Sequence, residues 1–596
     1  MDPQSFYIAN LERLSVELKK LRQRRSLFGI TRFGTLAALI VVLYFFYKLG
    51  WWYVSAFTVM LLILFRWLVL KDVANKAAIS NLDNLIKINK EEISALNNEY
   101  FQFDNGAAYT PKDHFYANDI DIIGHASLYQ FCNRTTSWMG NTHLVRWMLE
   151  SAPAEEILNR QEGIKELSLK RGWAQQLQAY GMENIIKENT YSRLKKWLED
   201  PVLFLGFTHW KWLRILLPAI IVSITVGAIL EWIPMNFFYG SLLVFAIIAY
   251  QVNKIVAPLH EQLSKMVNEL DTLCHSITSI ENEKFESPLL NQLQQSFDPG
   301  EAAASKKIRH LKKILDRLDL RYNIVLSAPL NLLFLWNLQQ ALSLEKWKKN
   351  HIADVEGWFS GLGTFEALSS FGTIAFNNPS WTFPQLSNNH FEIEARELGH
   401  PLINKNKRKN NDIVIEESSE LMIVTGSNMA GKSTYLRSIG INVILAMAGA
   451  PVCAAYFRIS PVQLISSMRV SDNLEESTST FYAELKKLKL IIDKVNKNEK
   501  IFILLDEILR GTNSLDRHTG SMALVKQLIK HNASGIIATH DVALAEMKKE
   551  FPGNILNYHF DAEVNDDELY FDYKLKPGIS KSLNASMLMK KIGIEL

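Results

Sequence analysis

Four long uncharged runs interrupt an otherwise amphipathic chain. Residues 33–47, 49–65, 215–230 and 232–253 contain no Asp, Glu, Lys or Arg. They come in two pairs, and within each pair one charged residue, Lys48 or Glu231, separates the runs. A spanning helix needs ~20 apolar residues, with ~17 a lower limit. Three of the runs sit at or below that limit. Lys48, Arg66, Arg214 and Glu231 lie at run ends, where long side chains reach back to headgroups. Trp51, Trp52, Trp67, Trp212 and Trp232 occupy the same ends, as an aromatic belt would place them. Residues 36–47 are apolar on every face and are followed at once by another such run, which disfavours core helices. The pattern predicts two membrane hairpins, four transmembrane helices in all.

The rest of the chain alternates. Residues 6–25 put Leu11, Leu14, Leu18 and Leu21 on one helical stripe. That helix ends in Lys19, Lys20, Arg22, Arg24 and Arg25, which suits anionic headgroups or a solvated face packed on the protein itself. Residues 259–273 and 302–318 read as amphipathic helices. Ser287-Pro288 and Pro299-Gly300 mark a loop over 286–300, and 377–389 reads as another. After residue 400 the apolar runs shorten: 421–424, 501–505 and 535–538 are wholly apolar but for Gly535, and polar turns follow each. Such runs suit buried parallel strands. The chain has no fixed-period repeats.

Candidate chemistry lies at the ends of those short runs. Gly426, Ser427, Asn428, Met429, Ala430, Gly431, Lys432, Ser433 and Thr434 follow the first and precede a helical pattern. Strand, glycine loop and helix are the context of a P-loop, whose amides form an anion site at a helix N-terminus. In that frame Lys432 reaches the β- and γ-phosphates and Ser433 holds Mg²⁺. The second run ends in Asp506-Glu507. Asp506 is placed to contact the metal, and Glu507 to polarise an attacking water as general base. The third ends in Thr539-His540-Asp541.

The details resemble the MutS family of ABC-type ATPases. Residues 425–434 are similar to that family's TGPNMGGKST, with Ser427 for Pro and Ala430 for Gly. Residues 506–513 resemble DEIGRGTS, with Leu509 for Gly. Asp472-Asn473-Leu474, then Ser479-Thr480-Phe481 and Glu484, resemble the signature segment DDL…STFMxE. Asn411-Asp412 resembles the ND pair upstream of the loop, and His400-Pro401 part of its RHP motif. Further back, Asp119-Ile120-Asp121, Asn133-Arg134-Thr135, Gly140 and Arg160-Gln161-Glu162 resemble the helical core domain. The resemblance implies an α/β P-loop (ABC-type) ATPase domain at the C-terminus and an all-α core and lever region. It implies ATP and Mg²⁺ as cofactors, with Asn411 and Asp412 near the nucleotide and His540 on the γ-phosphate. It also implies a homodimer in which Ser479 completes the partner's site. Locally Ser479 is equally a helix N-cap.

A fifth uncharged stretch, residues 323–344, holds Pro329, Asn331, Asn337, Gln339 and Gln340, all costly in lipid. A fifth span would put the N-terminal basic cluster and the ATPase on opposite faces, against the positive-inside rule. It therefore reads as a buried soluble helix. The expected domain order is an N-terminal helix (1–32), a hairpin (33–70), the helical core (71–210), a second hairpin (211–255), a lever or clamp region (256–400) and the ATPase (401–596). An integral protein of the cytoplasmic, or inner, membrane follows, its lipid bilayer penetrated from the cytosolic side and its ATPase facing the cytosol.

Composition changes this picture little. With 596 residues the chain is too long for one core. A net charge of +3 gives no bulk pull toward nucleic acid. Cys132, Cys274 and Cys453 are scattered and read as reduced core thiols. With 32 residues before the first apolar run, the family's mismatch-reading domain is expected to be missing, as is its C-terminal helix-turn-helix. Two functions follow. One is a membrane-bound ATPase that still engages DNA, through phosphate-binding Lys306, Lys307, Arg309, Lys312 and Lys313. The other is a mechanochemical membrane ATPase acting on a protein or lipid. Those five cations equally suit a wet helix face, and Lys405 to Lys409 reads as a solvated surface turn.

Overall fold

The computed structural model describes residues 2–45, 50–297, 302–416, 420–427, 429–468, 480–497, 499–565 and 568–580. Helices dominate up to residue 377. The stripe of leucines and the first apolar run form one continuous helix, Pro3–Phe45, which pairs with a second, Trp51–Leu96. Leu14 and Leu18 bury against Ile79, Leu82 and Ile88, at the polar end of the pair. Toward the other end the same two helices stop burying side chains. The second pair, Thr208–Ile229 and Met235–Ser264, differs in keeping Ile221, Ala228 and Phe245 buried within its apolar runs. All four helices are long and apolar enough to cross a membrane, and their most apolar windows are 0%, 6%, 17% and 17% buried.

The helical core is built on Trp138–Leu149, Ala154–Leu169 and Val355–Asn377. Close helix crossings depend on small residues: a Cβ at Gly363 would lie 2.8 Å from the Met139 backbone. Ser137 caps the first of these helices by accepting from the Gly140 amide at 3.0 Å. Pro299-Gly300 lies outside the described residues, and residues 288–296 are not the loop their Ser-Pro pair predicts. A helix, Pro288–Ser296, occupies them, with Ser287 as N-cap and Pro288 in the first turn. Proline is at home there because its missing N–H has no intrahelical partner to lose.

The fifth uncharged stretch is not a single buried helix. It forms Ile324–Phe334 and Trp336–His351, broken at Leu335, whose φ of +48° is left-handed. The second half is buried as expected. The first half leaves Val325, Leu326 and Phe334 exposed and packs on both helices of the second pair. The Asn331 side chain bridges the break: its amide donates back to Ser327, and its oxygen accepts from the Asn337 amide past the kink.

Among the described residues the C-terminal region carries ten strands: β1 (Gln385–Leu386), β2 (Ile393–Leu398), β3 (Asn411–Ile415), β4 (Leu421–Gly426), β5 (Tyr456–Ile459), β6 (Gln463–Ser467), β7 (Ile501–Asp506), β8 (Ser534–Thr539), β9 (Ile555–Asn565) and β10 (Glu568–Pro577). β1, β2, β3 and β5 form a small mixed sheet ordered β1-β5-β2-β3. The other six are ordered β10-β9-β4-β8-β7-β6, parallel except for the edge strand β10. β4, β7 and β8 are buried along their full length, as wholly apolar runs in a covered parallel sheet must be. Their C-terminal ends lie side by side, so the three polar turns noted in the sequence converge on one edge.

Candidate nucleotide site

The glycine loop leaves β4 at Gly426 and enters the helix Lys432–Ala448 at Gly431. Both glycines are required. Gly431 has φ +103°, and a Cβ at Gly426 would sit 2.8 Å from the Phe560 carbonyl oxygen of β9. Lys432 is buried and its ammonium donates to the loop carbonyls of Gly426 (2.7 Å) and Ser427 (2.9 Å). Burial pushes its pKa down, and the Glu507 and Asp506 carboxylates partly offset that.

Ser433 donates from Oγ to Asp506 Oδ2 at 2.5 Å, joining the first helical turn to the end of β7. Asp506 Oδ1 is buried without a hydrogen-bond partner. Burial raises the Asp506 pKa, and the Ser433 hydroxyl counters part of the rise. Two hard oxygen donors, one of them unsatisfied, fit an Mg²⁺ ion. Glu507 follows with φ +49°, its amide bonded to the Ala538 carbonyl of β8 at 2.9 Å. Its carboxylate lies 3.1 Å from Arg510 Nε and 3.7 Å from His540 Nδ1. The ends of β4, β7 and β8 thus gather Lys432, Ser433, Asp506, Glu507 and His540.

A cleft of ≈ 420 Å³ opens beside the loop, lined by Ser427, Met429, Gly431, Lys432, Ser433, Thr434 and Glu507. On its other wall stand His400, Lys407, Arg408, Lys409, Asn411 and Tyr573. The basic turn read as solvated is therefore part of the cleft wall, which three cations in a row could have suggested. Tyr573 was invisible to motif reasoning: it stands alone in β10, yet its ring edge would lie 3.0 Å from a Cβ at Gly431. Asn411 lines the cleft but its side chain is engaged, donating to the Tyr573 carbonyl (3.0 Å) and accepting from the Leu575 amide (2.8 Å). Asp412 does not line it; its carboxylate accepts from the Glu397 amide of β2 at 2.8 Å. Ala430 is buried beneath the loop. Asn428 and residues 469–479, with Asp472, Asn473, Leu474 and Ser479, lie outside the described residues.

Glu484 was named only as part of a motif, and its contact gives it a job. Buried on the helix Thr480–Asn496, it accepts from the Leu509 amide, just past Glu507. Burial raises its pKa, and the amides of Leu509 and Arg510 lower it in part. Asp119 of the helical core accepts from Ser466 Oγ (2.7 Å) on β6 and from Lys487 Nζ (3.0 Å) on that same helix. The helix beside the glycine loop also packs on Trp138–Leu149 and Ala154–Leu169. Site and core are mechanically continuous.

The profile of MutS domain V matches residues 422–591, which span β4, the glycine loop and the ends of β7 and β8. This part of the chain is therefore similar to the ATPase-bearing domain V of the MutS family. It is 31% identical over 238 residues to the DNA mismatch repair protein MutS of Persephonella marina, covering 39% of this chain and 27% of that protein. It is 34% identical over 196 residues to the human and mouse MutS protein homolog 4, covering 31% of this chain and 20% of each. The chain thus spans about a quarter or less of the length of these curated relatives. Within that similarity the chain departs from the MutS pattern at Leu509. That residue adopts φ +59° where the pattern has glycine, and its side chain is buried. A left-handed L-residue costs ~1–2 kcal/mol, which burial of a leucine offsets.

Proposed function

We propose that this chain is a membrane-integrated ATPase. It binds ATP and Mg²⁺ in the cleft at the glycine loop and hydrolyses ATP, and closure of two such heads in a homodimer moves the attached helices. The observation that carries the reading is the Ser433–Asp506 contact under a loop that buries Lys432, with Glu507 and His540 at its rim. Loop amides and Lys432 would hold the phosphates, and Ser433 and Asp506 the metal. Bound Mg²⁺ supplies neutralisation of developing phosphate charge. Glu507 is the candidate acceptor of the proton from an attacking water, and His540 is placed to orient that carboxylate and the terminal phosphate. The four apolar helices support anchoring in the cytoplasmic (inner) membrane, heads in the cytosol.

Similarity to the DNA mismatch repair protein MutS of Persephonella marina supports a role in DNA mismatch repair. A second reading, a mechanochemical ATPase working on a protein or lipid, is favoured by one observation. Of the five cations that could grip DNA phosphates, Lys307 is paired with Asp354 (3.1 Å) and Lys312 with Asp271 (2.6 Å). Turnover of the detergent-purified protein, with and without duplex, mismatched and branched DNA, separates the two readings. DNA stimulation that vanishes in Lys432→Ala supports the first; indifference to DNA supports the second. Glu507→Gln should lower turnover by about 10²-fold or more while ATP binding persists. Unchanged turnover in that variant would reject Glu507 as the base.

A further inference from the structure

The helix Ile324–Phe334 is exposed where the sequence pattern predicts burial, and its surroundings say where it belongs. It is uncharged, as is the whole of 323–344. Its Val325 is 77% exposed, and Leu326 and Phe334 are exposed with it. It packs on Thr208–Ile229 and Met235–Ser264, so its outer face continues the exposed apolar surface of that pair. At 11 residues it is ~16 Å long, about half the thickness of a hydrocarbon core.

Both of its ends are pinned at one level. Beyond Phe334, Asn337 donates to Asn253 Oδ1 (3.0 Å) and Gln339 to the Arg214 carbonyl (2.6 Å). Arg214 and Asn253 stand where the two apolar runs of the second pair meet polar sequence. Before it, Asn323 caps the helix, directly after Arg321 and the exposed Tyr322. Trp336 donates its indole N–H to the Arg317 carbonyl at 2.9 Å, tying the far end to the same stretch. The chain therefore leaves and rejoins the polar boundary within three turns. Arginines and aromatic residues at that level are what a headgroup region selects.

We propose that Ile324–Phe334 is an interfacial helix, lying at the headgroup–acyl boundary beside the second hairpin with Val325 and Leu326 turned into lipid. The inference rests on reading the hairpins as membrane-inserted. It makes the second anchor a three-helix foot, joined through Trp336–His351 to the lever region. The occupant of the exposed face is lipid, because the face is continuous with the apolar hairpin surface and carries no charge to pair with a protein.

Depth measurement on the full chain in nanodiscs tests this. The native Cys132, Cys274 and Cys453 are buried, so Val325→Cys can be labelled selectively with a polarity-sensitive fluorophore. Leu243→Cys, exposed in the middle of the second hairpin, is the reference. The expected result is a Val325 label quenched severalfold more by a shallow spin-labelled lipid than by a deep one and shielded from iodide, with the order reversed at Leu243. A Val325 label open to iodide, or blind to both iodide and lipid because protein covers it, overturns the proposal while a deeply quenched Leu243 keeps the membrane reading. Deeper quenching at Val325 than at Leu243 also overturns it, making the segment part of a span. If neither site senses lipid, the membrane reading itself fails and takes the interfacial helix with it.

Discussion

The apolar strands of the ATPase region and the apolar helices of the two hairpins are drawn from the same residues, and their solvation is opposite. β4, β7 and β8 are buried at every position, whereas no more than 17% of any hairpin window is buried. Length separates them. A run of six residues that ends in Asp-Glu or Thr-His can be covered by helices on both faces of a sheet. An uncharged helix of fifteen or more outlasts the protein available to cover it, and needs a different solvent. Hydrophobicity alone does not tell core from membrane, and only the period and the punctuation do.

The sharpest way to break this contrast is to place one carboxylate in each kind of run. Ile503, 1% exposed in the middle of β7, should not tolerate aspartate. Ile503→Asp leaves a buried unpaired charge and should cost more than about 4 kcal/mol, seen as loss of the thermal transition of the detergent-purified chain. Ile247→Asp in the second hairpin should leave that transition in place. Its cost, about 2.5–3.5 kcal/mol, falls on insertion, read as a shift into the alkali-extractable fraction. Equal loss of thermal stability in both variants would make the hairpins core helices and end the comparison.

A second break point lies where the first hairpin passes from exposed apolar to buried polar. Glu92, near the end of Trp51–Leu96, forms a fully buried ion pair with Arg134, whose guanidinium also donates to the Phe131 and Asn133 carbonyls. Burial alone would raise the Glu92 pKa; Arg134, with Arg171 and Asn377, outweighs it and holds the carboxyl below its usual value. Asn377 donates to the same carboxylate (2.8 Å) and accepts from Tyr7 of the first helix (2.7 Å). Both hairpin helices are thereby fastened to the core. Arg134→Met strands a buried carboxylate and should cost about 3–5 kcal/mol in thermal unfolding, with Glu92→Leu in the same chain restoring much of it. A shift of under about 1 kcal/mol would show the joint to be solvated.

What the sequence made legible follows the same division. Ordered motifs at the ends of β4, β7 and β8 placed Lys432, Ser433, Asp506, Glu507 and His540 on one edge, because parallel strands bring their C-terminal ends together. The wall opposite was not legible. Tyr573, Lys407 and Arg408 reach the cleft through sheet pairing and a turn, which no local spacing encodes. Asp412 carried a motif match, yet its carboxylate is spent on β2. Residues 323–344 misled because Pro329, the Asn and Gln side chains and the parity of spans argue against a span without marking the kink at Leu335, which Asn331 bridges. Arg134 matched the core-domain pattern, but its partner Glu92 lies 42 residues earlier in the chain, beyond any local pattern.

The smallest effect expected concerns the cleft wall and runs through pH. His400 sits behind the glycine loop, its Nδ1 accepting from the Leu402 amide at 3.2 Å. Burial lowers its pKa to about 4; the nearby Arg437 and Arg408 add to this, and Asp121 opposes it. The folded state therefore resists a proton that the unfolded chain accepts near pH 6.5. Stability is fullest above that value and falls as pH drops from 6.5 toward 4. The shift sets a ceiling of ~3 kcal/mol, and partial solvent contact of the ring reduces it to about 1–2 kcal/mol. His400→Asn keeps an acceptor for Leu402 and removes the titration. Its urea midpoint should therefore fall less steeply than the parent's between pH 6.5 and 4.5, and parallel curves would mean that the imidazole is solvated in the folded head. Ile503→Asp breaks the strand side of the contrast outright, and this substitution asks only how dry the strand ends remain where the cleft opens.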